Sequence, residues 1–285
     1  RDFATSNNIY LSYVEAGKGA DNNKFGAKVI KATLTGSDTD RPSLQAMTPI
    51  WEQFPKVKGQ GHYSHRLLFS PDGQYLYISS GERQEKTPAQ DMSVNLGKII
   101  RLNPDGSVPA DNPFMNTNND IADQFWTTGH RNVLGMAFDE KGRLWAHEMG
   151  PRGGDEFNLI EKGKNYGWPI VSNGRNYTGT DIPDHDTRPD FAAPEITWTP
   201  VISPSSMSIY QAGKHNDFPA WQGNALISGL SSKALIVVSF EKNNGAAERY
   251  RYDVGERIRG VLNVDGQVWL LEDGAKGRLL RLLPN

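Results

Sequence analysis

The residues best suited to chemistry fall into four polar clusters, each flanking an apolar run. The first is Gly61-His62-Tyr63-Ser64-His65-Arg66. A histidine at the mouth of a strand is a candidate general base because its pKa lies near neutrality, and it is equally a candidate hydrogen-bonded structural residue. Strand alternation sends His62 and His65 to opposite sides, so at most one of them faces a central site. The second cluster is Thr128-Gly129-His130-Arg131-Asn132. Arg131 offers a planar fork for anionic or carbonyl oxygens and Asn132 adds a donor and an acceptor, although such a pair also serves simply to fix a loop.

The third cluster runs from Glu148-Met149-Gly150-Pro151-Arg152-Gly153-Gly154-Asp155-Glu156-Phe157-Asn158 to Asn165-Tyr166-Gly167-Trp168-Pro169. Its glycines and prolines expose carbonyls while Asp155 and Glu156 add carboxylates. That all-oxygen inventory suits calcium, a hard cation. The spacing is not that of an EF-hand, and acidic glycine-rich turns also occur without a metal. The fourth cluster is Glu256-Arg257-Ile258-Arg259. Alternation puts Arg257 and Arg259 on one face, as a clamp for a polycarboxylate or phosphate or as a solvated strand face.

The elements that must position these clusters read as short strands. Leu67 to Ile78 is an apolar strand, a Ser-Pro-Asp-Gly turn and a second apolar strand. The pattern returns at Gly135–Trp145 and Val261–Leu270, and further strands are expected at Gly97–Leu102, Lys233–Phe240 and Gly277–Leu282. No apolar stripe of helical period persists beyond a turn or two. Repeating hairpins with extra strands predict an all-β fold of β-propeller type, with a β-sandwich as the alternative. Asn165 to Pro200 reads as a long insertion that shapes a site or a contact.

Composition narrows the functions. The 285 residues contain no cysteine, which excludes disulfides and thiolate metal sites. A formal charge of −2 gives no reason to expect a nucleic-acid partner. No apolar run reaches the ~20 residues of a membrane-spanning helix. The sequence opens on Arg1 rather than Met, so a processed or trimmed start is expected and the lack of a secretory signal is uninformative about compartment.

Taken together, the segments resemble the soluble quinoprotein sugar dehydrogenases, which depend on pyrroloquinoline quinone (PQQ). The resemblance runs from Asp2 to the C-terminus. It is carried by His62-x-x-x-Arg66-Leu67, Gly129-His130-Arg131-Asn132, Gly150-Pro151 through Asp155-Glu156-Phe157-Asn158, Lys162 to Pro169, and Arg257-Ile258-Arg259. It implies one six-bladed propeller domain over residues 1–285, lacking its first blade or so. It also implies oxidation of an aldose at the anomeric hydroxyl to a lactone, with PQQ and calcium, an external electron acceptor and a periplasmic or secreted address. His62 falls at the general-base position, Arg131 at that of the arginine polarising the quinone carbonyl, and Asn132 beside it. Gly150 and Pro151 match the carbonyl ligands of the calcium that holds PQQ, and Glu156 and Tyr166 match further calcium positions. Arg257 and Arg259 match the pair that grips PQQ carboxylates.

Three departures stand against the family pattern. Ser231 occupies the place of a cofactor-contacting lysine, with Lys233 two residues on as its replacement. Family members carry roughly one and a half blades upstream of this start, including a Gln-Gly-Gly loop at the cofactor site, so missing residues rather than a working truncation are expected. His65 replaces a small residue near the base. The rival readings are a calcium-dependent propeller lactonase and a non-catalytic binding propeller. The loops expected to choose the sugar lie near Asn112–Asp123 and Asn173–Pro194.

Overall fold

The computed structural model describes residues 3–115 and 118–284, so Asn116 and Thr117 of the first expected specificity loop lie outside the described residues. The chain divides into two compact units, Arg1–Asn132 and Val133–Asn285. The first unit holds two antiparallel sheets. One is formed by β1 (Asn8–Ala16), β2 (Phe25–Thr35) and β3 (Ser43–Glu52). The other is formed by β4 (Ser64–Phe69), β5 (Leu76–Ser80), β6 (Lys98–Leu102) and β7 (Phe125–Thr128). The second unit holds three. These are β8 (Val133–Phe138), β9 (Leu144–Glu148), β10 (Asp155–Ile160) and β11 (Ile196–Trp198); then β12 (Pro204–Ile209), β13 (Ala225–Gly229), β14 (Ala234–Phe240) and β15 (Ala246–Asp253); then β16 (Ile258–Val264), β17 (Gln267–Glu272) and β18 (Leu279–Arg281).

Every sheet is a meander in which each strand pairs with its sequence neighbour, the pattern of a propeller blade. The fold is all-β and of propeller type, as expected, but it has five blades rather than six. The expected loss of a first blade finds no support. Residues 8–52, which carry no hairpin of the recurring kind, form a complete three-stranded sheet of their own. The three hairpins expected from sequence all form, and in the first the turn glycine Gly73 takes φ 79°, where a side chain would be strained.

The blade β12–β15 shows how so polar a chain finds a core. Along β13 and β14, Ala225, Ile227, Ala234, Ile236 and Val238 face Trp145, Phe157 and Trp198 of the preceding blade. The alternate residues Leu226, Leu235 and Val237 face Ile258, Val261, Val268 and Leu270 of the following one. Both faces are covered, which is why Ala234–Val238 is a continuous apolar run rather than an alternating one. Serines stitch the first strands of adjacent blades: Ser205 Oγ donates to the Arg259 carbonyl (2.9 Å).

Antiparallel meandering fixes where loops emerge. The start of the first strand, the end of the second, the start of the third and the end of the fourth share one edge of the blade. His62, Arg131, Asn132, Gly150, Pro151, Glu156, Lys233, Arg257 and Arg259 each lie at or next to that edge of their own blade. Phe157, fully buried and stacked on Trp145 at 5.2 Å, anchors one such edge. Phe157→Ala is therefore expected to cost about 3–5 kcal/mol in urea unfolding followed by tryptophan fluorescence. A loss under about 0.5 kcal/mol, the range of surface changes, would contradict that placement.

Candidate functional site

In the first unit, the loop before β4 and the loop after β5 face each other. The hairpin register of Leu67 opposite Ile78, extended outwards, would set position 62 opposite 83. A bulge between Ser64 and Leu67 shifts the ladder, so Ser64 pairs with Ser80 and the same extension brings His62 to Glu82. His62 Nδ1 meets Glu82 Oε1 in a short hydrogen bond. Glu82 is 1% exposed and also accepts the amides of Gln84 (2.9 Å) and Lys86 (2.5 Å). Burial alone would raise its carboxyl. The His62 hydrogen bond, the Lys86 amide and the His62 and Arg131 charges outweigh burial and hold it below the ordinary carboxylate value.

An ionised carboxylate only accepts, so His62 donates to Glu82 from Nδ1, and in that tautomer Nε2 is the ring nitrogen that offers a lone pair. His62 is partly exposed, with 17% of its side chain accessible. This is the arrangement of an oriented general base. His65 parts from His62 as expected, although through the bulge rather than plain alternation. Its Nδ1 meets Ser12 Oγ of β1 at 2.9 Å, and burial pushes its pKa down.

The turn is wound unusually. His62, Ser64 and His65 take φ of 49°, 56° and 51°, and across from them Arg83, Gln84 and Lys86 take 61°, 65° and 62°. Left-handed backbone costs roughly 1–2 kcal/mol for a non-glycine residue. Close approach enforces it, since a Cβ on Gly81 would lie 2.0 Å from the His62 carbonyl oxygen. Gln53 braces the same turn, donating from Nε2 to the Tyr63 carbonyl (3.1 Å) and Ser80 Oγ (3.0 Å).

Arg131 and Asn132 are buried beside this turn. The Arg131 carbonyl accepts the Glu82 amide (3.0 Å), and Asn132 Oδ1 accepts Ser64 Oγ (3.0 Å). The segment ahead of them hangs on Lys98. Its fully buried Nζ donates to the carbonyls of Pro88 (2.7 Å), Leu96 (2.8 Å) and Ala89 (3.2 Å). The Ala89 carbonyl also takes the Gly129 amide, and the Gly97 carbonyl takes the His130 amide.

In the second unit, Asp155 organises the Gly150-Pro151 turn. Its Oδ1 accepts the Gly150 amide (2.8 Å) and its Oδ2 accepts the Ser203 amide (2.7 Å), so the turn is tied to the start of β12. A Cβ on Gly150 would meet the carbonyl oxygens of Gly154 (2.2 Å) and Gly153 (2.5 Å), so only glycine fits there and oxygens crowd the turn. Next to it, Glu156 pairs across the ladder with Glu148, both buried. Asn158 donates to Glu156 Oε2 (3.2 Å), and its own buried Oδ1 has no protein donor. Carbonyls, carboxylates and an orphaned amide oxygen fit a hard cation such as calcium. Among the described residues no three His, Cys, Asp or Glu side chains converge, so a metal there leans on carbonyls. The Tyr166 hydroxyl donates to the Leu159 carbonyl and accepts the Glu161 amide, and the Tyr166 carbonyl lies 3.2 Å from His185 Nε2.

Arg257 and Arg259 share one face, as alternation predicts. Both bind Asp273, Arg257 through Nε (2.9 Å) and Arg259 through Nε (3.0 Å), and Arg259 Nη1 reaches Ser205 (3.3 Å). The two arginines lower the Asp273 carboxyl, Arg257 most, and the trio stays net cationic. Lys233 adds a cation next to them, its Nζ donating to the Gly255 carbonyl (3.1 Å). Half-exposed cations fit an anionic cofactor. Ser231 is held by the Val201 carbonyl (3.0 Å) and supplies no charge.

Sequence reading missed Glu82, Arg83, Lys98 and Asp273. Glu82 had a signal, an acidic residue just past an apolar strand whose partner strand opens near His62, but the bulge concealed the register. The Glu82 pKa carries a consequence for stability. Its folded value lies below 4.5, so its contribution is complete above that pH and is lost as pH falls through the folded value. The stability gap between wild type and Glu82→Gln in urea unfolding is expected to narrow on acidification from pH 7. A gap constant with pH would contradict the ionised state.

A family model described as glucose / sorbosone dehydrogenase matches residues 1–281. The chain is 37% identical over 290 residues to aldose sugar dehydrogenase YliI of Escherichia coli, covering 99% of this chain and 75% of that one. It superposes on the apo-form of the soluble aldose sugar dehydrogenase from Escherichia coli with a TM-score of 0.88 at 35% identity, covering 100% of this chain and 80% of that one. With the PQQ-bound form of aldose sugar dehydrogenase from Streptomyces coelicolor the TM-score is 0.76 at 26% identity, covering 99% and 77%.

Proposed function

The chain belongs to the glucose and sorbosone dehydrogenase family, and on that premise we propose that it is a PQQ- and calcium-dependent dehydrogenase. Its substrate is an aldose, oxidised at the anomeric hydroxyl to a lactone, with electrons leaving to an external acceptor in the periplasm or outside the cell. The observation that carries this reading is the His62–Glu82 pair. Bound PQQ would supply the hydride acceptor, and calcium would hold it and draw charge from its quinone oxygens.

The protein's own groups do the rest. His62 takes the anomeric hydroxyl proton on Nε2 while Glu82 keeps Nδ1 protonated and stabilises the imidazolium that forms. Arg131 offers its fork to the oxygen on which negative charge grows, with Asn132 beside it. Gly150 and Pro151 would offer carbonyls to the calcium that holds PQQ, and Glu156 and Tyr166 would hold a further, structural one. Arg257, Arg259 and Lys233 hold the cofactor carboxylates.

Titrating the protein with PQQ and calcium by absorbance, then adding glucose or another aldose, tests the proposal. Wild type is expected to bind PQQ and lose quinone absorbance on adding sugar. His62→Ala should bind PQQ equally well but reduce it about 10²–10⁴-fold more slowly, since a general base acts on the chemical step. Arg257→Ala should bind about tenfold more weakly, the scale of a charged hydrogen bond at a half-exposed site. Absence of PQQ binding by wild type would overturn the proposal.

A further inference from the structure

Arg83 follows Glu82 in sequence and takes no part in the chemistry proposed above, yet it is only 2% exposed. Its guanidinium donates from Nε to the Gly61 carbonyl (2.8 Å), from Nη2 to the Gly59 carbonyl (2.8 Å) and from Nη1 to the Phe25 carbonyl (2.6 Å). The Tyr63 ring lies 3.6 Å from it, a stacked cation–π contact. These partners bracket His62: the carbonyl of residue 61 lies on one side and the ring of residue 63 on the other. None carries a charge. Burial opposes its charge and the Glu82 and Glu85 carboxylates favour it without bonding it directly, so a hydrophobic residue would fill the space more simply.

We propose that Arg83 is a positioning residue that holds the left-handed turn at His62, so that the imidazole stays on Glu82. Left-handed φ at His62, Ser64 and His65 persists only where the surroundings over-determine it. Residues 82 and 83 supply that constraint together, Glu82 on the His62 ring and Arg83 on the backbone before it at Gly59 and Gly61 and on the Tyr63 ring after it. Lysine is a poor replacement, because it lacks the planar fork whose separate nitrogens reach Gly61, Phe25 and Gly59 while its face lies on the Tyr63 ring. The inference rests on the reading of His62 as the base, and it adds the residue that keeps the base in place.

The test uses the full chain with ¹⁵N-labelled histidine and no cofactor. In wild type the His62 Nδ1–H, assigned with His62→Gln, is expected as a low-field, slowly exchanging proton. In Arg83→Lys and Arg83→Gln it should exchange at least about tenfold faster, the scale of losing one well-held hydrogen bond. The buried rings of His130, His147 and His185 keep their wild-type signals and report an intact fold. With PQQ and calcium added, Arg83→Lys should lose about ten- to a hundredfold in kcat with KM for the aldose unchanged, as for a misplaced base. An unchanged His62 proton in both variants would overturn the proposal. If the proton is lost in the Arg83 variants but His62→Ala turns over normally, Arg83 still positions the turn and the base assignment is what fails.

Discussion

The Glu82 carboxylate, 1% exposed and ionised, receives the His62 ring and two loop amides, while its own amide donates to the Arg131 carbonyl. Three strand mouths of one blade are thereby joined through a single residue. Its charge determines which His62 nitrogen carries the proton, and its backbone sets the height of the segment bearing Arg131 and Asn132. An unpartnered carboxylate buried this deeply would take up a proton. The site therefore depends on His62 and the loop amides staying where they are, which is what the Arg83, Gln53 and Lys98 contacts secure.

The second unit applies the same logic with other acids. Asp155 fixes the Gly150-Pro151 turn to the start of β12, and Ser205 on that strand bonds Arg259. Asp273 draws Arg257 and Arg259 onto one face. In each case a carboxylate sets where carbonyls or guanidinium groups point, and the functional atoms belong to its partners. The apolar sandwiching of blade β12–β15 on both faces supplies the rigid frame that such short-range bonds need.

Much of this was legible from residue order. Alternation of apolar residues around Asp-Gly and Lys-Gly turns gave the three hairpins, and strand pleating placed Arg257 and Arg259 on one face. The blade formed by residues 8–52 escaped notice because β1 and β3 carry few buried residues. Counting blades from the family resemblance then led to six instead of five. Glu82 was hidden for a different reason. A single bulged residue at Ser64–Leu67 moves His62 from the register of Arg83 to that of Glu82, and sequence spacing does not mark a bulge. Nothing in the sequence singles out Arg83 or Lys98, because only tertiary structure reveals the carbonyls that hold them.

Central to this account is that Glu82 acts on the chemistry through His62 alone. The direct measurement is a double-mutant cycle on single-turnover cofactor reduction by an aldose, comparing wild type, His62→Ala, Glu82→Gln and the double variant, all loaded with PQQ and calcium. The account predicts that each single change slows reduction and that the double variant is no slower than His62→Ala. Losses that multiply in the double variant would mean that Glu82 works independently of His62, and would contradict the pairing on which the site is built.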